Sequence, residues 1–410
     1  MVKFMVAGPA DHNLVRQINS ALILDRLLAD SPQSRANLAQ QTGLNRSTIS
    51  SLVSDLIERH LIREVGLETA DSRGRPGMLL ELNPNGGCVV GIEINVEHIT
   101  VILTDFTAHT LWRRHVELPA APPQTEVLCL AETLIDEALR AGMAHRLTPL
   151  GIGLGVPGLV DVTKGALVYA PNLTWRNVPF RDMWEQKFGV PLYVENDGNA
   201  SALGEYYFGV AKGYGHFIFL GTGIGLSGGL MLGGQIYRGV GGYAGEIGHI
   251  IVESGGELCA CGRRGCWETL VGPRTVIKGI VHALKNGAPS LIPDLVGGEL
   301  DRITMGVVVN AADQGDQLAL DTLADIALHL GTGIANLINL FNPELIVLGG
   351  SLTLAGQYLM PTISRIITAE ALSVPGNMVA LSLSSLGADA CVKGAIALVV
   401  DGIVRDPISW

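Results

Sequence analysis

The sequence predicts an α/β protein in which a small N-terminal helical module precedes a larger module made of two similar lobes. Its 410 residues are more than one ordinary hydrophobic core accommodates. Apolar residues recur with a helical period near the N-terminus, and two separate groups of three strand-like segments follow. These observations predict a mainly helical N-terminal module, a duplicated sheet-containing module and a cleft between its lobes.

Composition and charge restrict the class of protein. Hydrophobic residues are 48% of the chain and charged residues 16%, which is typical of a folded globular protein. The net charge of −11 excludes a protein that coats nucleic acid by bulk electrostatics. Residues 1–82 carry nine basic and nine acidic side chains, so the excess acid lies beyond them. Without a signal-like leader or a run of about 18 apolar residues, we expect a cytoplasmic protein with no membrane insertion.

The N-terminal pattern predicts helix, turn, helix. Residues 13–28 form the first helix, Ser34 caps a second that Gly43 ends, and Asn45 caps a third that continues to about Arg59. Short polar side chains at the start of the third helix suit a DNA major groove, and we expect Arg35 to contact DNA as well. The DNA-contacting candidates here are Arg35, Asn45, Arg46, Ser47, Thr48 and Ser50.

Two strand-like segments, 61–67 and 78–82, predict a hairpin after the third helix. Between them, Arg73, Gly74 and Arg75 resemble a hook that lays arginines along a narrow minor groove. Residues 1–82 are therefore predicted to be a winged helix-turn-helix DNA-binding domain. The alternative is a helical dimerisation or protein-docking module in which Arg73 and Arg75 are merely solvated.

The larger module contains the same arrangement of strands twice. Three strands are followed by a helix and another strand in the first copy, and three strands recur in the second. The predicted segments are strands 88–95, 98–105 and 110–118, helix 126–141, strand 150–155, and strands 216–221, 224–232 and 235–237.

Three cysteines and a histidine predict a metal site. Cys259, Cys261 and Cys266 lie within eight residues, and His249 precedes them. Three thiolates and one imidazole complete a tetrahedral zinc set without an open position, so the ion would be structural. The alternatives are a reduced, metal-free cluster and a redox pair.

Polar residues from separate loops predict a sugar site. Asn196 and Asp197 follow a predicted strand at 191–195, at an edge that favours ligand contacts. Sugars require paired acceptors and donors, and Gly158 permits close backbone approach. Taken alone, Asp197 is equally natural as a helix cap. The sugar-binding candidates are Gly158, Asn196, Asp197, Glu246, His249 and Glu268.

The duplicated strands, together with the segment from Ile334 to Ser351, resemble the actin, Hsp70 and hexokinase architecture, a duplicated ribonuclease H-like fold. More specifically, the chain is similar to the ROK family (repressor, ORF, kinase), which contains xylose, glucose and N-acetylglucosamine repressors and sugar kinases. The most specific segment is 242–268, which contains Gly-Tyr-Ala-Gly-Glu-Ile-Gly-His and the three cysteines.

The resemblance implies a domain plan and residue roles. It implies one structural zinc per chain on His249, Cys259, Cys261 and Cys266, and sugar contacts from the side chains named above. It places the kinases' catalytic base at Asp197. The implied domains are 1–82 for DNA binding, 83–199 for the first lobe with helix 388–410 returning to it, and 200–387 for the second lobe with the zinc knuckle and an oligomerisation surface.

One of the two phosphate turns expected in such a kinase is altered. The second turn, 221–225, keeps its Gly-Thr-Gly-Ile-Gly sequence, although such patterns also occur as plain tight turns. The first, around Glu93 to His98, has Asn95, Val96 and Glu97 where the family's kinases have glycines and a threonine. We therefore expect little or no ATP turnover, with Asp197 a vestigial base.

The predicted function is a transcriptional repressor of carbohydrate-metabolism genes that is modulated by a sugar or sugar phosphate. Its expected partners are double-stranded operator DNA and a second copy of the chain, as a homodimer or homotetramer. A sugar-transport protein is a further candidate partner. The alternatives are an active hexose kinase and a regulator controlled mainly by a protein partner.

Overall fold

The N-terminal part consists of three helices and an antiparallel hairpin. A computed structural model describes residues 12–67 and 77–408. The three strands form one small sheet in the order β1-β3-β2. The elements are α1 (His12–Ala29), β1 (Gln33–Ser34), α2 (Arg35–Thr42), α3 (Arg46–Glu58), β2 (Ile62–Leu67) and β3 (Met78–Leu82).

Local capping explains where α2 and α3 begin and end. The Ser34 hydroxyl accepts a hydrogen bond from the Asn37 amide, and the Asn45 side chain accepts one from the Thr48 amide at 2.8 Å. Gly43 ends α2 with φ at 73°, a conformation that favours glycine. The three predicted caps are thus present. Arg73, Gly74 and Arg75 lie outside the described residues.

The first lobe is built on a five-stranded sheet in the order β11-β7-β4-β5-β6. Strands β4, β5 and β6 pair antiparallel. Strand β7 pairs with β4 in parallel, and β11 pairs with β7 in parallel. A second sheet of three strands, β10-β9-β8, lies beside it. The elements are β4 (Cys88–Ile94), β5 (His98–Asp105), β6 (Thr110–Glu117), α4 (Gln124–Ala144), β7 (Pro149–Val156), β8 (Leu159–Asp161), β9 (Ala166–Ala170), β10 (Trp175–Val178), α5 (Phe180–Phe188), β11 (Leu192–Asn196) and α6 (Asp197–Phe208).

The second lobe repeats this topology. Its sheet has the order β14-β13-β12-β15-β16, again an antiparallel meander extended by two parallel strands. The predicted duplication is therefore confirmed. The elements are β12 (Phe217–Thr222), β13 (Leu226–Leu232), β14 (Gln235–Ile236), α7 (Glu268–Val271), α8 (Pro273–Lys285), α9 (Ile292–Leu295), α10 (Met305–Asp313), α11 (Gln317–Phe341), β15 (Leu345–Gly350), α12 (Gly356–Glu370), α13 (Ser373–Met378), β16 (Ala380–Leu383) and α14 (Ala390–Arg405).

Helices α6 and α14 lie against each other between the two sheets. Helix α14 packs on β4 and β7 of the first sheet, and α6 packs on β12 and β13 of the second. The chain therefore returns to the first lobe after completing the second. The returning helix is Ala390–Arg405, shorter than the expected 388–410, of which residues 409–410 lie outside the described part of the chain. The expected lobe boundary at residue 199 falls inside α6, which contacts both lobes.

Helix α11 is the core helix of the second lobe. Among the described residues it is the one helix long and apolar enough to cross a membrane by length and composition. Half of the most apolar stretch of this helix is buried inside the protein, and residues such as Leu330 and Ile334 are fully buried. Its apolar character is accounted for by packing against α12 and the sheet.

Candidate functional site

The six sugar-binding candidates all line one cleft of about 290 Å³ between the lobes. Gly158, Asn196 and Asp197 come from the ends of the first-lobe strands, where parallel strands bring their following residues together. Glu246, His249 and Glu268 come from the long connection after β14. The structure thus brings together residues that are up to 110 positions apart in the sequence.

Asn196 is the cap of α6, which frees Asp197 from that role. The Asn196 Oδ1 atom accepts hydrogen bonds from the amides of Gly198 at 2.9 Å and Asn199 at 3.2 Å. Its Nδ2 group donates to the Gly158 carbonyl at 3.1 Å. Asp197 is the first residue of the helix, and its carboxyl group borders the cleft. The alternative of Asp197 as a cap therefore does not hold; its neighbour supplies the cap.

Position 158 requires glycine. Its φ is 108°, and a Cβ atom there would lie 2.4 Å from the Tyr169 carbonyl oxygen. The backbone at Gly158 therefore lies so close to β9 that a residue with a side chain would not fit there. This contact, together with the Asn196 bond to its carbonyl, fixes the first-lobe wall of the cleft.

Two of the cleft carboxylates, Asp197 and Glu246, have raised pKa values. Burial raises the pKa of Asp197 from 3.8 to about 6, and the nearby Glu93 charge adds to this, while the Gly198 amide opposes it. Burial and the charges of Asp197 and Glu268 raise the pKa of Glu246 from 4.5 to about 7. Groups held close to neutral pKa values in a cleft are candidates for ligand contact or proton transfer.

A buried ion pair beside the site was not predicted from the sequence. Glu195 is 1% exposed; its Oε2 atom accepts a hydrogen bond from Arg238 Nε at 2.8 Å and lies 2.7 Å from Nη2 of the same guanidinium. Its Oε1 atom accepts from the Asn196 amide and the Asn199 side chain. Arg238 begins the glycine-rich loop that leads to Glu246. The pair therefore ties the first-lobe strand end to the second-lobe loop of the site.

His249, Cys259, Cys261 and Cys266 form a cluster that is able to hold a metal ion. One ligand atom from each lies within 4.8 Å of those from the others. The Sγ atoms of Cys261 and Cys266 are 3.7 Å apart, and Cys259 Sγ lies 3.5 Å from His249 Nδ1. Although burial acts to raise it, hydrogen bonds from Arg263 hold the pKa of Cys261 below its usual range, whereas burial raises the pKa of both Cys259 and Cys266. The ligand types and their separations are therefore what indicates a metal site.

The imidazole of His249 faces two ways, which explains its assignment to both the metal and the sugar set. Its Nδ1 atom points to Cys259 and lies 3.7 Å from a Glu268 carboxylate oxygen. Its Nε2 atom lies 4.0 Å from Glu246 Oε2. Cys259 Sγ also donates to Glu268 Oε1 at 2.9 Å. The cysteine cluster is therefore in direct contact with two of the cleft residues.

The first turn of the cleft is filled by side chains. Asn95 and Val96 line the cleft, and the Asn95 amide nitrogen lies 3.6 Å from the position of a Cβ on Gly223, in the opposite turn. The Val96 backbone amide donates to Asn95 Oδ1 at 2.6 Å. Glu97 is not among the cleft residues; it lies 3.7 Å from Arg274 at the start of α8. A carboxylate at this turn would repel phosphate, and the neighbouring Arg274 cation partly offsets that repulsion.

The N-terminal candidates occupy an exposed end of α3. Arg46, Ser47 and Ser50 are exposed there, and Thr48 is partly exposed. Asn45 is engaged as the helix cap, and the Ser50 hydroxyl donates back to the Arg46 carbonyl. Arg35 forms a 2.9 Å ion pair with Glu64 of the hairpin. A hydrogen-bonding surface is therefore present at α3. Arg35, in contrast, would have to break its ion pair with Glu64 to contact DNA.

Comparison with known proteins decides the family. The sequence profile described as "ROK family" matches residues 89–401, more than half of the chain. The chain belongs to the ROK family. It is 31% identical to the xylose repressor of Caldicellulosiruptor bescii, over 97% of this chain and 99% of that protein.

Two solved ROK structures share the fold. One, a ROK family transcriptional regulator described as a homologue of the E. coli MLC protein, has a TM-score of 0.82 and 28% identity, covering 96% of this chain and 97% of that one. The other, a ROK family glucokinase from Streptomyces griseus in complex with glucose and AMPPNP, has a TM-score of 0.67 and 32% identity, covering 76% and 99%. The regulator's match extends over nearly the whole chain, including its N-terminal part.

Proposed function

We propose that this ROK protein is a sequence-specific DNA-binding repressor of carbohydrate-metabolism genes that binds a sugar or sugar derivative in its cleft without phosphorylating it. The observation that carries the proposal is the combination of the two parts in one chain: a polar cleft of the sugar-kinase type and a capped three-helix unit with a hairpin. The full-length similarity to a ROK regulator and to a xylose repressor supports it.

The N-terminal unit, residues 1–82, acts in this proposal as a winged helix-turn-helix. The start of α3 enters the major groove with Arg46, Ser47 and Ser50, since their side chains are exposed there. Arg73, Gly74 and Arg75, which lie between β2 and β3 in the sequence, contact the minor groove in this proposal. Residues 83–199 and 200–387 form the two lobes. The protein acts as a homodimer or homotetramer, because operator half-sites come in pairs.

The cleft binds its ligand through hydroxyl groups. Asp197, Glu246 and Glu268 supply acceptors, and the His249 imidazole can serve as a donor. Asn196 acts mainly through its cap and its bond to Gly158, because both ends of its amide are already engaged. This arrangement suits a polyhydroxylated ligand better than an apolar one.

The cysteine cluster holds one structural zinc ion. Zinc at about 2.3 Å from sulfur and about 2.0 Å from nitrogen places two tetrahedral sulfurs about 3.8 Å apart, and a sulfur about 3.5 Å from a nitrogen. The observed separations of 3.7 Å for Cys261 and Cys266, and 3.5 Å for Cys259 and His249, fit these values. The ion would fix the imidazole of His249 at the cleft.

An active hexose kinase is the second candidate function. Asp197, with its pKa raised to about 6, is suited to accept a hydroxyl proton, and the turn at Gly223 and Gly225 remains open. The first turn argues against it. Its Val96 amide is already bonded to Asn95, and the Asn95 side chain reaches towards the opposite turn.

Three assays test the proposal. DNA sequences enriched by the full-length protein from a random pool are used in a shift assay with D-xylose, D-glucose, N-acetylglucosamine and their phosphates. We expect sequence-specific DNA binding at moderate salt that at least one of these sugars weakens. The absence of specific DNA binding, with or without sugars, would contradict the proposal.

A coupled ADP-release assay with the same sugars should show no turnover, and clear turnover would establish the kinase alternative. Operator binding without any sugar binding in calorimetry would favour control by a protein partner, such as a sugar-transport component.

A further inference from the structure

Helices α6 and α14 are in backbone contact, which leaves little room for one to move without the other. A Cβ atom on Gly394 would lie 1.7 Å from the Ala200 carbonyl oxygen. A Cβ atom on Gly204 would lie 2.6 Å from the Ala390 carbonyl oxygen. Side chains larger than hydrogen would force the helices apart at both points. The two helices therefore behave as a single packed unit.

One end of this unit lies at the cleft. Helix α6 begins at Asp197, and α14 begins beside it: its buried Cys391 lies against Gly155 at the end of β7. Burial raises the pKa of Cys391, and the negative charges of Glu93 and of the cleft residue Asp197 add to this. A ligand that displaces Asp197 therefore acts directly on the start of both helices.

The other end lies under the N-terminal unit. Val400, Ile403 and Val404 of α14 share one hydrophobic core with Ile23 and Leu27 of α1. The Gln17 side chain of α1 donates to the Arg405 carbonyl at 3.1 Å, and Arg59 donates to the Ile408 carbonyl at 2.8 Å. With 16 residues, α14 spans roughly 24 Å between the cleft and this core.

A polar link fixes the two helices to each other next to the N-terminal unit. The Tyr207 hydroxyl, in the last turn of α6, donates to Asp401 Oδ1 at 2.6 Å. The second oxygen of Asp401 accepts from Arg405 Nε at 2.6 Å, and the Arg405 carbonyl is the acceptor for Gln17. Burial and the Asp401 charge raise the pKa of Tyr207, so its hydroxyl keeps the proton that it donates.

We propose that α6 and α14 transmit the ligand state of the cleft to the N-terminal unit, and that the Tyr207–Asp401 hydrogen bond is the positioning contact that couples them. The inference rests on the proposed function, because it names how ligand binding regulates that same protein. A shift of Asp197 is carried along α6 to Tyr207. Asp401 and Arg405 then pass it to α1. Tyr207 contacts neither ligand nor DNA and acts only through α14.

Hydrogen–deuterium exchange of the full-length protein, with and without saturating D-xylose, tests this. D-Glucose and N-acetylglucosamine replace xylose if calorimetry shows that they bind instead. The test variant is Tyr207→Phe, which removes one hydroxyl and keeps the ring packing. The matched control is Tyr358→Phe, since the Tyr358 hydroxyl donates to Asp313 at the same 2.6 Å, but within the second lobe.

In the wild type and Tyr358→Phe, we expect sugar to change exchange both in cleft peptides and in residues 12–67. In Tyr207→Phe the cleft change should persist, while the change in residues 12–67 falls by at least about threefold. If Tyr207→Phe does not fold, Asp401→Asn replaces it.

An undiminished change of exchange in residues 12–67 of Tyr207→Phe overturns the coupling role. So does a wild type in which sugar changes exchange in the cleft but not in residues 12–67. A wild-type cleft that responds to none of the three sugars overturns the proposed sugar sensing, and the coupling role with it.

Discussion

At the floor of the cleft, Asp197 experiences opposing influences. Burial and the Glu93 charge disfavour its ionised form, while the Gly198 amide stabilises it, and the balance gives a pKa of about 6. Its position after a predicted strand could be recognised from the sequence. Its neighbour's role as cap could not, because Asn and Asp are both common at that position and only the backbone geometry decides between them.

The raised pKa of Asp197 predicts a pH dependence of stability. Between pH 4 and pH 6 the folded protein keeps a proton that the unfolded chain releases, so this group lowers the free energy of unfolding as pH rises through that window. The total change is at most about 3 kcal/mol. Asp197→Asn should remove it, so the stability of the variant relative to wild type increases from pH 4 to pH 6 and is constant above. Urea denaturation at each pH measures this, with the exposed Asp301→Asn as control; a pH-independent difference for Asp197→Asn would contradict it.

Glu195 and Arg238 predict a second measurable effect. Arg238→Met keeps the aliphatic stem but leaves a buried carboxylate without its cation, which should cost roughly 3 kcal/mol of unfolding free energy. Sugar affinity should fall as well, because the loop to Glu246 loses its anchor. The control is Arg302→Met, whose exposed pair with Glu299 at 2.9 Å should contribute less than about 1 kcal/mol. Equal losses in the two variants, by urea denaturation and calorimetric titration, would refute the anchoring role. No sequence pattern signalled this pair, because its members belong to different lobes.

At the scale of elements, the loop between β14 and α7 brings the cluster of His249, Cys259, Cys261 and Cys266 to the cleft. This cluster could be predicted because three cysteines and a histidine in one short segment are typical of a metal site whatever the fold. The two-way orientation of His249 could not, since it depends on the turn at Ile247–His249 that aims one ring nitrogen at Cys259 and the other towards Glu246.

Removing one cysteine should therefore affect both metal and sugar. We expect Cys261→Ser to lose bound zinc, from about one ion per chain to nearly none, and to bind sugar at least about tenfold more weakly, since the imidazole of His249 loses its fixed position at the cleft. Cys129→Ser, at an exposed cysteine on α4, is the control. Elemental analysis and calorimetry provide the two readings. A variant without zinc that binds sugar normally would show that the cluster does not support the cleft.

For the whole molecule, the duplicated topology was predictable because each meander has its own strand pattern and turn signals. The contact between α6 and α14 was not. It depends on Gly204 and Gly394, which are 190 positions apart and are only two of the chain's 52 glycines. Nothing local distinguishes a glycine needed for a helix–helix contact from one needed for a turn.

The shared core predicts that the two ends of the chain depend on each other. A chain that stops at residue 389 lacks α14 and exposes Ile23, Leu27 and their neighbours, so we expect its N-terminal unit to be cleaved by protease much faster than in the full chain. Deleting only residues 409–410 is the control. Equal resistance of residues 12–67 in both truncations would show that the N-terminal unit folds without its C-terminal support.

That dependence has a consequence for synthesis in the cell. The N-terminal unit leaves the ribosome first. Its Gln17 side chain forms its hydrogen bond to the Arg405 carbonyl only after 388 further residues have been synthesised. At about 5–20 residues per second, several tens of seconds separate the two events. We expect nascent chains to lack a finished DNA-reading surface, so that an operator is bound only by molecules whose translation has ended and whose sensor is already built.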